Sequence, residues 1–492
     1  MFNLITEAWI PIVRKNGQLE SIRPCDITSH FDTNPVVRFN VSRPDFKGSL
    51  ILFAIGLVQT TLPPIDSETC YDLYTTPPSP ETLQSAFLNV IDAFNIHGAG
   101  PLFMQDFDSL DNFESNKIAQ LFVDETGNKG LENNTDFFIK RGRFDNGLSL
   151  SETTMALFWL QQNAPSGGVG YRTSLRGGGP LTTILIPESD ETLWRLIWAN
   201  ISISKDPLPS ELNTVFPWLS PTPTSEYNAT VTPNNAHALQ AFWGMPRRIR
   251  IVYENGVAMK YKTKNYGINY PSIAWRHPLT PYRSSVKEPD KFLPVLTPKG
   301  RLFYENWLDI TMGDSNFHLA KCIQENNCNI KAKILCFGYE HDNFKPLAWV
   351  ETTSPYYNIP DSIRDSFTTA VKDMVSNAKI TSKALFSSID NKPKHGGRKR
   401  TSKDNGDKAQ HEFWARTESK FFDMVEQKFH NLKSNQDDEL MLEWNRYLYT
   451  TVLNLFSEYV ESGRFDLETQ VINKNELKKR LSKLFKIEDV IA

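Results

Sequence analysis

The sequence is poor in cysteine: five thiols (Cys25, Cys70, Cys322, Cys328 and Cys336) in 492 residues, an odd number without a C-x-x-C pair. That spacing indicates neither a disulfide scaffold nor a zinc knuckle, so no metal is expected. Long hydrophobic runs are also missing. The longest, Leu50 to Val58, has nine residues, against the ~20 that a membrane-spanning helix needs. The start carries Glu7 and no basic-then-apolar layout of a signal peptide. These absences together predict a reduced, cytoplasmic protein with no membrane partner. Charge of one sign is lacking as well. A formal net charge of -3 at pH 7 argues against a general nucleic-acid coat, which would be basic overall.

Catalytic signatures are equally scarce. No G-x-x-x-x-G-K-[ST] and no strand-linked G-x-G-x-x-G is present to cradle a nucleotide, and neither H-E-x-x-H nor G-x-S-x-G occurs. The nine histidines are dispersed, and His411-Glu412 falls in a helical stretch where capping or packing explains it. The expectation is a protein that is not an enzyme and needs no cofactor. Carboxylates that converge from distant segments leave no motif, so a metal-dependent nuclease with an acidic site assembled in three dimensions is the alternative.

What is present is apolar material for sizeable cores: 40% of residues are hydrophobic and 12% aromatic. A prior of ~150 residues per domain suggests about three domains, and two larger ones fit as well. Phe2 to Val13 reads as a strand, with a hairpin turn at Asn16-Gly17. Residues 49–61 and 81–94 read as helices, 124–148 as a long exposed loop, 151–162 as a short apolar helix, and 206–235 as irregular surface chain. Residues 247–275 read as strands. Two more, 331–338 and 347–352, flank a loop from Tyr339 to Pro346.

After Pro360 the periodicity becomes purely helical. One stripe carries Ile363, Phe367, Val371 and Met374, a second from about Gln410 carries Phe413, Phe421 and Phe429, and a third carries Trp444, Leu448 and Leu455 before Gly463. A fourth opens at a capping-box-like Asn473-Lys-Asn-Glu476. Four amphipathic segments bury their stripes most economically against one another. The fold class is therefore α+β: a large mixed N-terminal domain, residues 1–360, and a C-terminal four-helix bundle, residues 361–492. Between the first two stripes lies the densest basic run, with Lys392, Lys394, Arg398, Lys399, Arg400 and Lys403 around two glycines. It reads either as a solvated loop or as a phosphate-binding arm rewarded by counterion release.

The most informative stretch is Asn163 to Thr183, which packs six glycines with Arg172, Arg176 and several hydroxyl residues into 21 positions. Glycine lets a backbone approach another surface closely, successive N–H groups can form an anion nest, and the arginines suit phosphate contacts. This block, with the opening Leu4-Ile-Thr-Glu-Ala-Trp-Ile-Pro11, resembles the large-subunit (CasA) family of type I-E CRISPR Cascade. The likeness continues in order through Ala241-Phe-Trp243, Trp275-Arg-His-Pro278, Phe337-Gly-Tyr339 and His411-Glu-Phe-Trp414.

The resemblance implies a non-catalytic subunit of an RNA-guided surveillance complex. Such a subunit recognises the protospacer-adjacent motif (PAM) on target double-stranded DNA, seeds strand separation and R-loop formation, and helps recruit a helicase-nuclease. Its partners would be guide RNA and the other Cascade subunits. Protein would read the short motif while base pairing reads the sequence. Family members use a glycine loop, a lysine and a wedge in the minor groove. Carried over, the glycine loop falls on Ser166, Gly167, Gly168, Val169 and Gly170 with Arg172 beside it, the lysine on Lys264 or Lys262, and the wedge on Asn343 with Phe344. Ser166 and Val169 stand where the family often has glycine, which implies a different PAM preference. A loop that tethers the subunit near the RNA 5′ handle maps to Phe138, Ile139 and Lys140. The basic run at 392–403 would contact the displaced strand.

Overall fold

The computed structural model describes residues 2–125, 132, 142–189, 192–342, 345–389, 402–434, 439–461 and 467–485. The chain forms two units, Met1–Arg301 with Gly313–Tyr356, and Leu302–Met312 with Tyr357–Ala492. In chain order the elements begin with β1 (Phe2–Asn3), β2 (Ile10–Arg14), β3 (Leu19–Ile22), β4 (Val36–Phe39), α1 (Pro44–Thr61), α2 (Ser67–Thr75) and α3 (Pro80–Leu88). There follow β5 (Asn95–His97), β6 (Ser115–Lys117), α4 (Leu150–Asn163), β7 (Thr182–Pro187), α5 (Leu193–Trp198), β8 (Arg248–Glu254) and β9 (Val257–Lys264). Next come β10 (Tyr282–Ser284), β11 (Phe292–Pro294), α6 (Trp307–Thr311), β12 (Phe317–His318), α7 (Lys321–Glu325), β13 (Ala332–Asp342) and β14 (Lys345–Pro355). Four long helices end the chain: α8 (Asp361–Ile389), α9 (Ser402–Lys433), α10 (Leu440–Glu461) and α11 (Leu467–Phe485).

The first unit surrounds helix α1, which starts with Pro44 in its first turn and is buried on nearly every face, as its central apolar run Leu50–Val58 requires. At its centre the Phe53 ring meets Trp9 at 5.2 Å, Phe94, Phe103 and Phe158 each at 5.9 Å, and Trp243 at 6.1 Å. Helix α4 begins with a reciprocal capping box, Ser149 to the Glu152 N–H and Glu152 back to the Ser149 N–H. Small antiparallel sheets pack around this core, in strand orders β3-β2-β4, β6-β9-β8 and β14-β13-β7. The β8–β9 turn is Asn255-Gly256, both residues with positive φ, the pairing a tight hairpin demands.

In the second unit α8 to α11 share one apolar core that includes Phe367, Met374, Phe413, Phe421, Trp444, Leu455 and Leu481. The upstream segment Leu302–Met312 enters the same core, beyond the reach of the helical periodicity that starts after Pro360. Tyr304 stacks on Phe421 at 4.2 Å and shares a 2.9 Å hydrogen bond with the Thr417 hydroxyl. Helix α11 starts six residues before the capping-box-like Asn473, which sits mid-helix and buried, its amide reaching the Ser388 carbonyl at 3.3 Å. A capping motif read from spacing alone thus gives way to a tertiary contact. The β13–β14 ladder likewise runs further than its sequence suggests. Pairing continues to Asp342 opposite Lys345, through residues taken from sequence as loop.

No helix among the described residues is long and apolar enough to cross a membrane. The described His, Cys, Asp and Glu side chains form no group able to hold a metal ion.

Candidate nucleic-acid interface

The glycine block leaves α4 and runs past two other elements. At its first turn the Tyr171 N–H bonds the Gly168 carbonyl at 3.1 Å, and the Tyr266 N–H, two residues beyond β9, donates to the Gly170 carbonyl at 2.9 Å. Gly170 has φ +77°, and a Cβ there would lie 2.7 Å from the Tyr266 nitrogen, so glycine is what allows the approach. Gly168 faces open space, and Val169 at the loop tip is 77% exposed. The second glycine run lies against the hairpin. Gly179, φ +78°, faces the His341 ring so closely that a Cβ would overlap it, and its carbonyl accepts from the Thr297 N–H at 2.9 Å. The block therefore brings together the end of β9 and the turn end of the β13–β14 hairpin. Gly179→Ala adds left-handed strain to this overlap and is expected to cost about 1–3 kcal/mol, read as a lowered thermal midpoint.

The two arginines of the block differ, Arg176 being buried and Arg172 half-buried. Arg176, assigned from sequence to phosphate, is 1% exposed and holds Thr182 Oγ1 at 2.8 Å and Asn163 Oδ1 at 2.9 Å, with burial lowering its guanidinium to about 10. Arg172 donates to Ser225 Oγ at 2.8 Å, and the Ser225 N–H in turn reaches the Tyr266 carbonyl at 3.2 Å. Arg172 thus braces the segment against which the loop rests. Arg247 lies over the Tyr171 ring at 5.0 Å and donates to the Pro165 carbonyl, steadying the loop from beneath. Sequence reading missed this residue, because nothing local distinguishes it from the neighbouring Arg248.

Strand β9 presents Lys260, Lys262 and Lys264 at alternate positions, hence on one face. The two lysines singled out from sequence differ in their surroundings. Lys262 is 17% exposed and ion-paired with Asp111 at 3.0 Å. Lys264 has no carboxylate partner among the described residues. Its ammonium lies 5.4 Å from the centre of the Phe113 ring, which is itself exposed. Across the ladder Lys264 stands opposite Arg248, and Lys262 opposite Arg250. Like charges facing each other destabilise a sheet. The acids Asp106 and Asp108 offset this by pairing with Arg248, the latter at 2.8 Å.

Hairpin β13–β14 is held near its turn through side chains. His341 Nδ1 bonds the Tyr339 carbonyl at 2.8 Å, and burial holds the imidazole below its usual range. Glu340 accepts from the Gly300 N–H at 2.6 Å, and Asp342 pairs with Lys299 at 3.0 Å. The wedge residues Asn343 and Phe344 lie outside the described residues. So do Phe138, Ile139 and Lys140, together with Lys392, Lys394, Arg398, Lys399 and Arg400. Lys403 falls within helix α9.

The described residues on either side of 126–141 are clamped together. Phe122 stacks on Phe144 at 4.3 Å, the Arg43 guanidinium covers Phe122 at 4.5 Å and pairs with Asp124 at 3.0 Å, and Arg143 pairs with Glu125 at 2.7 Å. Arg43 also pairs with Asp45 at 2.6 Å, and Asp45 accepts from the Tyr339 hydroxyl at 3.3 Å. One polar chain thus links the loop clamp to strand β13.

Mixed sheets and helices followed by four long helices form an architecture shared with solved CRISPR-associated proteins. The Cse1 structure from Acidimicrobium ferrooxidans aligns with a TM-score of 0.68 at 14% identity, covering 99% of this chain and 98% of that one. CasA (Cse1) of Thermus thermophilus aligns at 0.67 and 14% identity over 98% of this chain and all of the other. A chain of a CRISPR RNA-guided surveillance complex aligns at 0.66 and 13% identity, over 98% and 99%. Residues 3–455 match the family described as CRISPR-associated protein Cse1, and the chain belongs to that family.

Proposed function

We propose that this chain is the non-catalytic subunit of an RNA-guided Cascade surveillance complex that reads the PAM on duplex DNA and starts strand separation. The observation that carries this reading is the single backbone block that touches both the end of β9 beside Lys264 and the turn end of the β13–β14 hairpin at His341. A bare glycine turn approaches a groove without side-chain bulk, the Lys264 ammonium meets acceptor atoms on its floor, and a hairpin tip enters the stack. None of these steps breaks a covalent bond. Duplex opening costs roughly 1.4 kcal/mol per base-pair step and is recovered as guide pairing grows, so a wedge needs only to seed it.

In this reading Phe138, Ile139 and Lys140, between the clamped residues, dock on the guide-RNA handle and neighbouring Cascade subunits. The basic run from Lys392 to Lys403 follows the displaced strand. The helical unit contributes to recruiting a helicase-nuclease.

Lys264→Glu is expected to weaken binding of a reconstituted complex to PAM-bearing duplex roughly tenfold or more, while leaving binding to duplex without the motif nearly unchanged. Lys262→Glu, at the ion-paired lysine, is expected to do less. Filter binding of the two variants on both duplexes decides between them. Equal affinities for wild type and Lys264→Glu on both DNAs would refute the assignment. The same complexes incubated with Mg²⁺ or Mn²⁺ test the nuclease alternative.

A further inference from the structure

We propose that Tyr227 is a stacking residue, its phenol ring packing on an unpaired base of DNA held beside the glycine loop. This rests on the reading above and adds to it a contact that neither the motif pattern nor the family resemblance supplies. Tyr227 is fully exposed and sits at φ +58°, followed by Asn228 at φ +62°. A bulky residue in the left-handed region costs of order 1 kcal/mol, and a ring wholly in water makes no intramolecular contact to offset that cost. Fold stability therefore does not account for an aromatic residue here.

Its position does. Two residues earlier, Ser225 is held by Arg172 of the glycine block and bonded through its N–H to the Tyr266 carbonyl. Further on, the Val231 N–H bonds the Asn269 carbonyl at 2.9 Å, so the segment lies along the chain that leaves β9. Tyr266 itself is 37% exposed at φ +61°, and its N–H carries the hydrogen bond to Gly170. Phe113, exposed to a similar extent, lies under the Lys264 ammonium. Single exposed aromatic residues are ordinary. Here Tyr266 bonds the glycine turn, Tyr227 follows the Ser225 that Arg172 and Tyr266 hold, and Phe113 lies against Lys264, an arrangement of the kind that holds single-stranded nucleic acid, where stacking is indifferent to base identity and the cation holds the phosphate. Tyr227 is the ring of the three that is most open to a ligand.

Sequence-indifferent stacking suits bases just released from a duplex. It holds them apart while the guide competes for the other strand. A residue with this role acts after motif reading, so its loss affects opening more than recognition.

The test uses the reconstituted complex with its guide RNA and a guide-matched duplex whose flanking motif is the best-bound member of a randomised library. Tyr227→Ala is expected to weaken binding about 5- to 100-fold, and Tyr227→Phe, which keeps the ring, to bind as the wild type does. Iododeoxyuridine placed next to the motif is expected to photocross-link to a peptide containing Tyr227. The side chain is solvated, so both variants are expected to keep the wild-type circular dichroism and melting profile. If Tyr227→Ala binds normally and forms no cross-link while Lys264→Glu is impaired, the stacking role is overturned and the motif-reading role survives. If both variants bind normally, the motif-reading role fails with it.

Discussion

Asp106→Ala is expected to lower the stability of the first unit by about 3–5 kcal/mol, seen as a fall in the urea midpoint. Arg248 is only 3% exposed and its partner Asp106 is fully buried. Burial alone lowers the arginine, but the hydrogen bond and charge of Asp106 outweigh it and hold the guanidinium above its usual range. Removing the carboxylate strands a cation inside the protein, opposite Lys264 in the ladder. The exposed Asp108 recovers only a part of the lost attraction. Arg248→Met in the Asp106→Ala background should restore most of the loss, because a pair replaced by apolar groups is often neutral whereas half a pair is not. A loss below about 1 kcal/mol for the single variant would show that the pair is not what organises β8 and β9. Lys264 depends on that sheet for its placement, so motif-dependent binding should weaken in the single variant and recover in the double one.

Phe53→Ala is expected to cost about 3–5 kcal/mol, the range for emptying an aromatic site that cannot collapse. Five rings surround Phe53, from loop, turn and helix alike. No single neighbour can move in without leaving another gap. Phe53→Leu should recover about half of the loss, since it keeps most of the buried carbon. Thermal scans followed by tryptophan emission would report the change directly, as Trp9 and Trp243 border the site. An alanine variant melting within experimental error of the wild type would mean that α1 is not the centre of this core.

Much of this architecture is legible in the residues themselves. The apolar stripes of α8 to α10 and the continuous hydrophobicity of α1 identify helices, because a buried face must repeat with the helical turn. The glycine block is conspicuous because no ordinary element tolerates so many missing side chains. Other features depend on tertiary pairing. The ladder from Tyr339 to Asp342 carries polar residues that pattern alone assigns to loop, and only the partner strand makes them strand. Asn473 has the composition of a cap and the surroundings of a core residue. Arg172 and Arg176 suit phosphate by chemistry, yet Ser225, Thr182 and Asn163 claim them, and nothing near them in sequence announces those partners. Lys262 and Lys264 are indistinguishable along the strand until Asp111 is seen to occupy one of them. Tyr227 left no signal at all, since a positive φ at tyrosine cannot be read from composition.

The segment Leu302–Met312 has a consequence for synthesis. The growing chain supplies Tyr304 and Trp307 well before residues 413–444, against which these rings pack, have been made. In the interval the ribosome also delivers β12, β13 and β14, which finish the earlier unit. Two bulky aromatic side chains therefore wait in water, or under a chaperone, until α9 and α10 emerge. The last third of translation is thus an interval in which these two rings lack the partners they pack against in the finished fold.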